Sequence, residues 1–401
     1  MKNLNIPLSW QIVLAAILAV IVGRLFPSVG DFAGQVAESY MRLMMLLIPY
    51  FVCAVLSAFT SSDDNGFSLR IVLKTLTGFV GMEIIAGCTA LVVANIIFAN
   101  TNIDALNLPA VEVDTSKTIG DFFLNIIPHN FVDILRAKNL PFVIIIACIV
   151  GYYANKCSDK SRLTLTKIFS SGNELMHHIT GFIAALSPIG IFGITCKLTA
   201  EGLIFSSLHS ILPLVLAAGV ALLIHSVVIV PILLKSSARC QPFRLLKMFG
   251  SVLWTSLGLS TSTLSATLAM HRMKDETGVS QRISGIAMPL LTILNFNGSS
   301  IFLTSAILFV AQAYGINLSL LEQVILVFTV SFITIGTVAV PLKLSVLIFP
   351  VLESMGVPLE GMGVIVACDL LFGMICSAAD TWCNVAVTAV IARSEGDKIK
   401  V

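Results

Sequence analysis

Residues 291–302 read "LTILNFNGSSIF", an apolar run whose middle holds Asn295, Asn297, Gly298, Ser299 and Ser300. Lipid offers amides and freed backbone groups no hydrogen-bond partner, so such an interruption survives at membrane depth only where protein or a water-filled cavity satisfies it. It therefore predicts a helix unwound near the membrane midplane, with carbonyls freed to coordinate a cation or a small solute. The competing reading is a glycine kink, with asparagine and serine holding neighbouring helices together by hydrogen bonds.

The surrounding chain supplies the membrane. Of 401 residues, 57% are hydrophobic and 11% charged, with a mean hydropathy of +0.96; a soluble domain carries about 25% charged residues. There is too little polar surface to face water, so the chain is read as an integral membrane protein. Apolar spans fall near 8–27, 40–60, 72–98, 141–154, 166–200 and 208–234, and none shows the short alternating pattern of a transmembrane barrel. The start, "MKNLNIPLSWQIVLAAILAVIVGRLF", has no A-x-A-like cleavage site and reads as a first membrane helix. Residues 99–140, with Asp104, Glu112, Asp114 and Asp121, read as an external loop that returns to the membrane. Lysines and arginines gather in the connections around Arg70, Lys160, Arg239 and Lys274 and at both ends, which places both termini in the cytoplasm by the positive-inside rule. Short termini and compact loops favour a bacterial inner membrane.

Several function classes lose support at this level. A net charge of +2, with no basic cluster interleaved with aromatics, argues against nucleic acid. Nine scattered cysteines lack a CxxC pair, and six histidines lack an HExxH pattern, so no zinc site is expected. No Walker A loop marks an ATP-driven pump. No Ser/His pair or facing aspartates mark an intramembrane hydrolase, and the chain is read as no enzyme. A channel would show rings of charge or a repeated filter.

From 246 to 393 the apolar segments are repeatedly interrupted by Gly, Ser, Thr, Asn and Pro. "LGLSTSTLSATLAM" precedes the span carrying "NFNGSS", and "TIGTVAVPLKLSV" precedes one carrying "DTWCN". Paired interruptions of this kind point to a transporter site at the midplane. In the last span Gly373, Cys376, Ser377, Asp380 and Asn384 recur three or four apart and share a helix face. An acid at a helix centre costs roughly 2.5–3.5 kcal/mol on insertion scales and marks an ion or substrate path; Asp380 is the leading candidate. Asp369, three turns earlier, is either solvated near a helix end or functional. Glu83, in "GFVGMEIIAG", is either a proton or cation ligand or a protonated structural carboxyl. Lys343, in "VPLKLSV", either snorkels to the interface or brings its ammonium into the site in place of a cation.

Taken jointly, "IIPHNFVDILRAKNLPFVIIIACIVGYY", "SPIGIFGI", "STSTL", "NFNGS", "IGTVAVP" and "MGVPL" resemble the dicarboxylate/amino acid:cation symporter family over almost the whole chain. The resemblance implies the glutamate-transporter fold: an all-α polytopic membrane protein with eight transmembrane helices, two re-entrant helical hairpins and inverted repeats. It implies scaffold helices in 1–71 and 99–200, a transport-domain helix in 72–98, and the transport-domain core in 201–401. A homotrimer, an elevator-type movement, no tightly bound cofactor, and sodium or a proton as coupling ion are implied with it.

Carried over residue by residue, the hairpin tips Ser260, Thr261, Ser262, Thr337, Ala339 and Val340, with Cys376, Ser377, Asp380 and Asn384, would hold substrate. Asn295, Asn297, Thr334, Thr337, Asp380 and Asn384 would hold a cation, and Glu83, Lys343 and Asp369 would carry a proton or compensate charge. The departures matter as much. Asn297 and Asn384 replace sodium-binding aspartates of acidic amino acid members, Gly373 replaces the aspartate that holds the substrate ammonium, and Cys376 replaces the arginine that holds an acidic side chain. Asp380 replaces an asparagine. The last helix is similar to the serine/threonine:sodium branch, which implies a small neutral amino acid as substrate. The alternative is a proton-coupled or sodium-independent carrier of acidic amino acids, dicarboxylates or another small solute.

Overall fold

A computed structural model of the chain describes residues 8–45, 69–101, 150, 153–154, 156–200, 202–259, 262–316, 318–334, 344, 347–348, 352 and 362–400. Among the described residues the regular structure is helical throughout.

The apolar start forms α1 (Leu8–Leu25), but the chain does not run straight on. Phe26-Pro27 opens a 3-10 turn, Pro27–Val29, and α2 (Gly30–Met45) leaves at 118° to α1. Proline has no N–H with which to continue a helix, but fits the first position of a new one. The long α3 (Leu69–Ala99) follows. The apolar stretch read as one span over 166–200 is instead two helices, α4 (Asp159–Ala185) and α5 (Ser187–Ala200). Pro188 lies in the first turn of α5, where a missing N–H costs nothing.

The span read near 208–234 is α6 (Leu203–Ile224), a π-helical turn at His225–Ile229, the short α7 (Val230–Leu233), and a second π turn at Leu234–Ala238. Then come α8 (Pro242–Leu259), α9 (Ser262–Arg272), α10 (Gln281–Leu294), α11 (Asn297–Ala313), α12 (Leu320–Thr334) and α13 (Met362–Ser394). The helices α8 and α9 are separated by two residues and are in contact with each other.

Among the described residues four segments are long and apolar enough to cross a membrane: Arg70–Ala99, Ile211–Ala238, Gln281–Ala313 taken across its break, and Leu371–Ser394. The bent α1–α2 pair would make a fifth. These are the spans that the described residues supply toward the expected eight. Most of the stretches read near 40–60 and 141–154, and all but residues 99–101 of the loop read over 99–140, lie outside the described residues.

Two packing styles hold the chain. The helices α1 and α2 lie against α5 through small residues: a Cβ on Gly23 would sit 2.6 Å from the Cys196 carbonyl oxygen, and one on Gly193 would sit 2.5 Å from that of Ala33. Close backbone approach of this kind is how membrane helices gain dispersion contact when lipid removes the hydrophobic drive. The second style centres on α11, which packs on α3, α6, α12 and α13 and is buried from Asn297 to Ala313 except at Gln312. A helix buried on every side belongs in a core, and that places "NFNGSS" at the centre of the molecule.

The basic ends of α3 and α13 are tied together by Glu395, which pairs with Lys74 and with Arg70 at 3.1 Å. Close by in sequence, Asp397 Oδ2 accepts the Ser280 N–H at 2.7 Å, just ahead of α10.

Candidate functional site

The break predicted at "NFNGSS" is present. After α10 the backbone leaves helical geometry at Asn295 (φ −101°, ψ 105°) and Phe296 (φ −127°, ψ 54°), and α11 begins at Asn297. Asparagine and glycine are poor helix formers, and asparagine side chains bond locally in competition with the helix ladder. The fully buried Phe296 ring fixes the turn in the core.

What stabilises the break is the last helix. The Gly298 N–H donates to Asp380 Oδ1 at 2.7 Å, and Ser299 Oγ reaches Oδ2 at 3.5 Å. Asp380 thus accepts one orphan N–H group of the first turn of α11, with the Ser299 hydroxyl beside it, where the helix dipole favours an anion. In turn, Cys376 Sγ donates to the Gly298 carbonyl at 3.1 Å. A Cβ on Gly298 would lie 2.8 Å from both Cα and O of Cys376, so only glycine allows α11 and α13 this close.

Beside the carboxylate runs a chain of amides. Asn297 Nδ2 donates to Asn295 Oδ1 at 2.9 Å, and Asn295 Nδ2 donates to Asn384 Oδ1 at 2.6 Å. Of the amide oxygens expected to hold a cation, those of Asn295 and Asn384 already accept, while Asn297 Oδ1 has no partner. Below Asp380, Ser256 Oγ lies 2.7 Å from the Ser377 carbonyl and 2.7 Å from Thr381 Oγ1, and Ser265 Oγ lies 3.2 Å from Thr381 Oγ1. These hydroxyls join α8 and α9 to α13. Ser377 Oγ donates back to the Gly373 carbonyl at 2.8 Å.

On the other side stands Glu83 of α3, 1% exposed. Thr334 Oγ1 at the end of α12 donates to its Oε1 at 2.6 Å. The Phe296 backbone and Ser300 lie beside this carboxyl, and Asp380 is near enough to interact with it through charge. Glu83 Oε2 and Thr304 Oγ1 are buried without partners. Glu83, Asn297 and Thr304 therefore each keep an oxygen without a hydrogen-bond partner in the core, and carboxylate, amide and hydroxyl oxygens are the ligand types that hard cations take.

Of the residues singled out from sequence, the structure brings Glu83, Asn295, Asn297, Thr334, Cys376, Ser377, Asp380 and Asn384 into one buried region. Asp369 is 1% exposed and lies within α13, so it is buried and not solvated near a helix end. Ser260, Thr261, Thr337, Ala339, Val340 and Lys343 lie outside the described residues, as does the side chain of Ser262. Sequence reasoning did not single out Ser256, Ser265 or Thr304. Their signal is a hydroxyl recurring inside an apolar helix, which many structural serines and threonines share. Among the described residues no lysine or arginine is buried; the buried acids are Glu83, Asp369 and Asp380. Among the described residues the region is thus acidic, without a buried guanidinium or ammonium.

The sequence matches the sodium:dicarboxylate symporter family over residues 8–394. The chain belongs to that family. Similar proteins include the proton/glutamate-aspartate symporter of Escherichia coli (strain K12), 25% identical over 98% of this chain and 94% of the relative. The C4-dicarboxylate transport protein of Anaeromyxobacter sp. (strain K) is 26% identical over 99% of this chain and 92% of its own. The proton/sodium-glutamate symport protein of Bacillus subtilis (strain 168) is 24% identical over 99% and 94%. This symporter-family chain is accordingly a membrane transporter and not an enzyme.

Proposed function

We propose that the chain is a secondary active symporter that couples a cation, sodium in the first place, to uptake of a small neutral amino acid such as serine or threonine. One observation carries the reading: Asp380 is fully buried against the start of α11, in a region where no described lysine or arginine is buried. An acidic side chain brought there would add a charge that no described lysine or arginine balances, and an uncompensated ion in a dry interior costs several kcal/mol or more. A neutral amino acid brings one ammonium, which Asp380 matches, and one carboxylate, which the backbone N–H groups of the hairpin tips match.

In this scheme the Asp380 carboxylate meets the ammonium while Oδ1 keeps the Gly298 N–H, so the helix stays capped. The dipole of α11 keeps Asp380 supported when no substrate is bound. Sodium is cargo in this scheme. Glu83 supplies its negative ligand, with Asn297 and Thr334, and Thr334 lies directly ahead of the second hairpin tip. By family resemblance, the units 72–98 and 201–401 move as one body against a scaffold of 1–71 and 99–200 in a homotrimer. The separate small-residue packing of α1, α2 and α5 supports that division.

The second reading, a proton-coupled or sodium-independent carrier of acidic substrates, is favoured by the names of the relatives, which are glutamate-aspartate, glutamate and C4-dicarboxylate transporters. Uptake of radiolabelled serine, threonine, alanine, aspartate and glutamate into proteoliposomes, with and without a sodium gradient, separates the two. Sodium-driven serine or threonine uptake supports the first; uptake confined to acidic substrates, or indifferent to sodium, supports the second and overturns the first.

A further inference from the structure

At the basic end of the α6 span, the two π turns His225–Ile229 and Leu234–Ala238 flank α7, which opens with Val230 and Pro231. Such widened turns inside a helix recur at functional sites. Facing them, α8 begins at Pro242. Between the two lies a groove of about 520 Å³ lined by Val228, Ile232 and Phe243, with Lys235 and Arg244 also on its wall. That volume is in the range of ligand sites, ~300–1,000 Å³. Val228, Ile232 and Phe243 are 48%, 60% and 64% exposed. Among the described residues Lys235 and Arg244 form no ion pair or hydrogen bond.

We propose that this groove binds an anionic phospholipid of the cytoplasmic leaflet, with an acyl chain along Val228, Ile232 and Phe243 and the phosphate between Lys235 and Arg244. The charge pattern selects the occupant. An apolar wall beside two cations without partners matches a molecule that carries an anion at one end and hydrocarbon at the other, and basic pockets on the cytoplasmic side take such head groups. A free phosphate would use the cations and leave the apolar wall uncovered. A zwitterionic lipid would bring a positive group against Lys235 and Arg244. The inference rests on the membrane-spanning reading of α6, and not on the substrate or the coupling ion.

The test is native mass spectrometry of the purified full chain in mild detergent, titrated with phosphatidylglycerol, phosphatidylcholine or glycerol phosphate. The wild type is expected to retain phosphatidylglycerol selectively. The double variant Lys235→Gln, Arg244→Gln is expected to hold it about 30-fold more weakly, the combined effect of two basic residues at an anionic lipid surface. Ile232→Trp fills the apolar wall without touching the charges and should weaken retention by a comparable factor, which separates displacement from misfolding of the charge variant. Equal retention by wild type and both variants, equal retention of phosphatidylcholine, or full competition by glycerol phosphate would each overturn the proposal. Because the readout is bound lipid, its failure leaves the symport reading intact, and failed uptake leaves the lipid result intact.

Discussion

The Gly298 N–H and Asp380 Oδ1 meet at 2.7 Å, joining the restart of the broken helix to the centre of the last one. One carboxylate thereby has two tasks: it caps α11 from a neighbouring helix, and it is the buried negative charge proposed to meet the substrate ammonium. The tasks separate by substitution. Asp380→Asn can still accept the Gly298 N–H through its amide oxygen, so the fold should persist. Losing a charged hydrogen bond to the ammonium, about 1.5–3 kcal/mol, should weaken serine binding by about 10–150-fold. Isothermal titration with serine, beside thermal unfolding of both proteins, checks this; unchanged affinity would remove Asp380 from the site.

Gly298→Ala tests the contact geometrically. Its Cβ would lie 2.8 Å from backbone atoms of Cys376, which cannot swing away. Overpacking of this kind typically costs about 1–3 kcal/mol, and the melting temperature in detergent should fall. Cys376→Ala should not rescue it, because the clash is with Cα and O.

The amide chain gives a third expectation. Asn295→Ala removes the partner of both Asn297 Nδ2 and Asn384 Oδ1, and each buried polar group left unsatisfied costs about 1–3 kcal/mol. Asn295→Ala should therefore destabilise more than Ser377→Ala, whose hydroxyl donates to a carbonyl of its own helix. Denaturation midpoints of the two variants decide the order.

For the coupling ion, Glu83→Gln retains an acceptor for Thr334 Oγ1 and removes one negative charge. Apparent sodium affinity in serine uptake should fall by about tenfold or more, roughly 1.4 kcal/mol. Serine affinity at saturating sodium should change little. An unaltered sodium dependence would move the cation site elsewhere.

At the joined ends of α3 and α13, the Lys74 hydrogen bond, with the nearby Arg70 charge, holds the Glu395 carboxyl below the usual carboxylate range. A carboxyl lowered on folding stabilises above its unfolded value, about 4.3, and that contribution is lost as pH falls through the folded value. Glu395→Gln should remove the contribution at neutral pH and shrink the loss on acidification. Melting curves collected from neutral to strongly acidic pH check the sign; an equal acid loss in the variant would contradict it.

Much of the core was legible because burial of polarity is conspicuous in so apolar a chain. "NFNGSS" stood out against its flanks, and Asp380 and Asn384 fell on one helical face by spacing alone. The bend after Leu25 and the division of 166–200 into α4 and α5 were less visible, since Pro27 and Pro188 sit where proline is also compatible with a continuing apolar segment. The hydroxyl contacts of Ser256 and Ser265 with Thr381 could not be read at all, because the partners lie 125 and 116 residues apart.

Composition and periodicity determined that this chain lives in a membrane, is helical, and interrupts its helices with polar residues where lipid would not tolerate them. Those features follow from solvation and local spacing, which a linear chain carries in full. The tertiary structure alone decided that the last-helix acid caps the broken helix, that Asn295 donates to Asn384, and that Glu83, Asn297 and Thr304 keep oxygens open. Hydrogen bonding is short-ranged and directional, so which polar atoms are satisfied depends on how α3, α11, α12 and α13 meet in space.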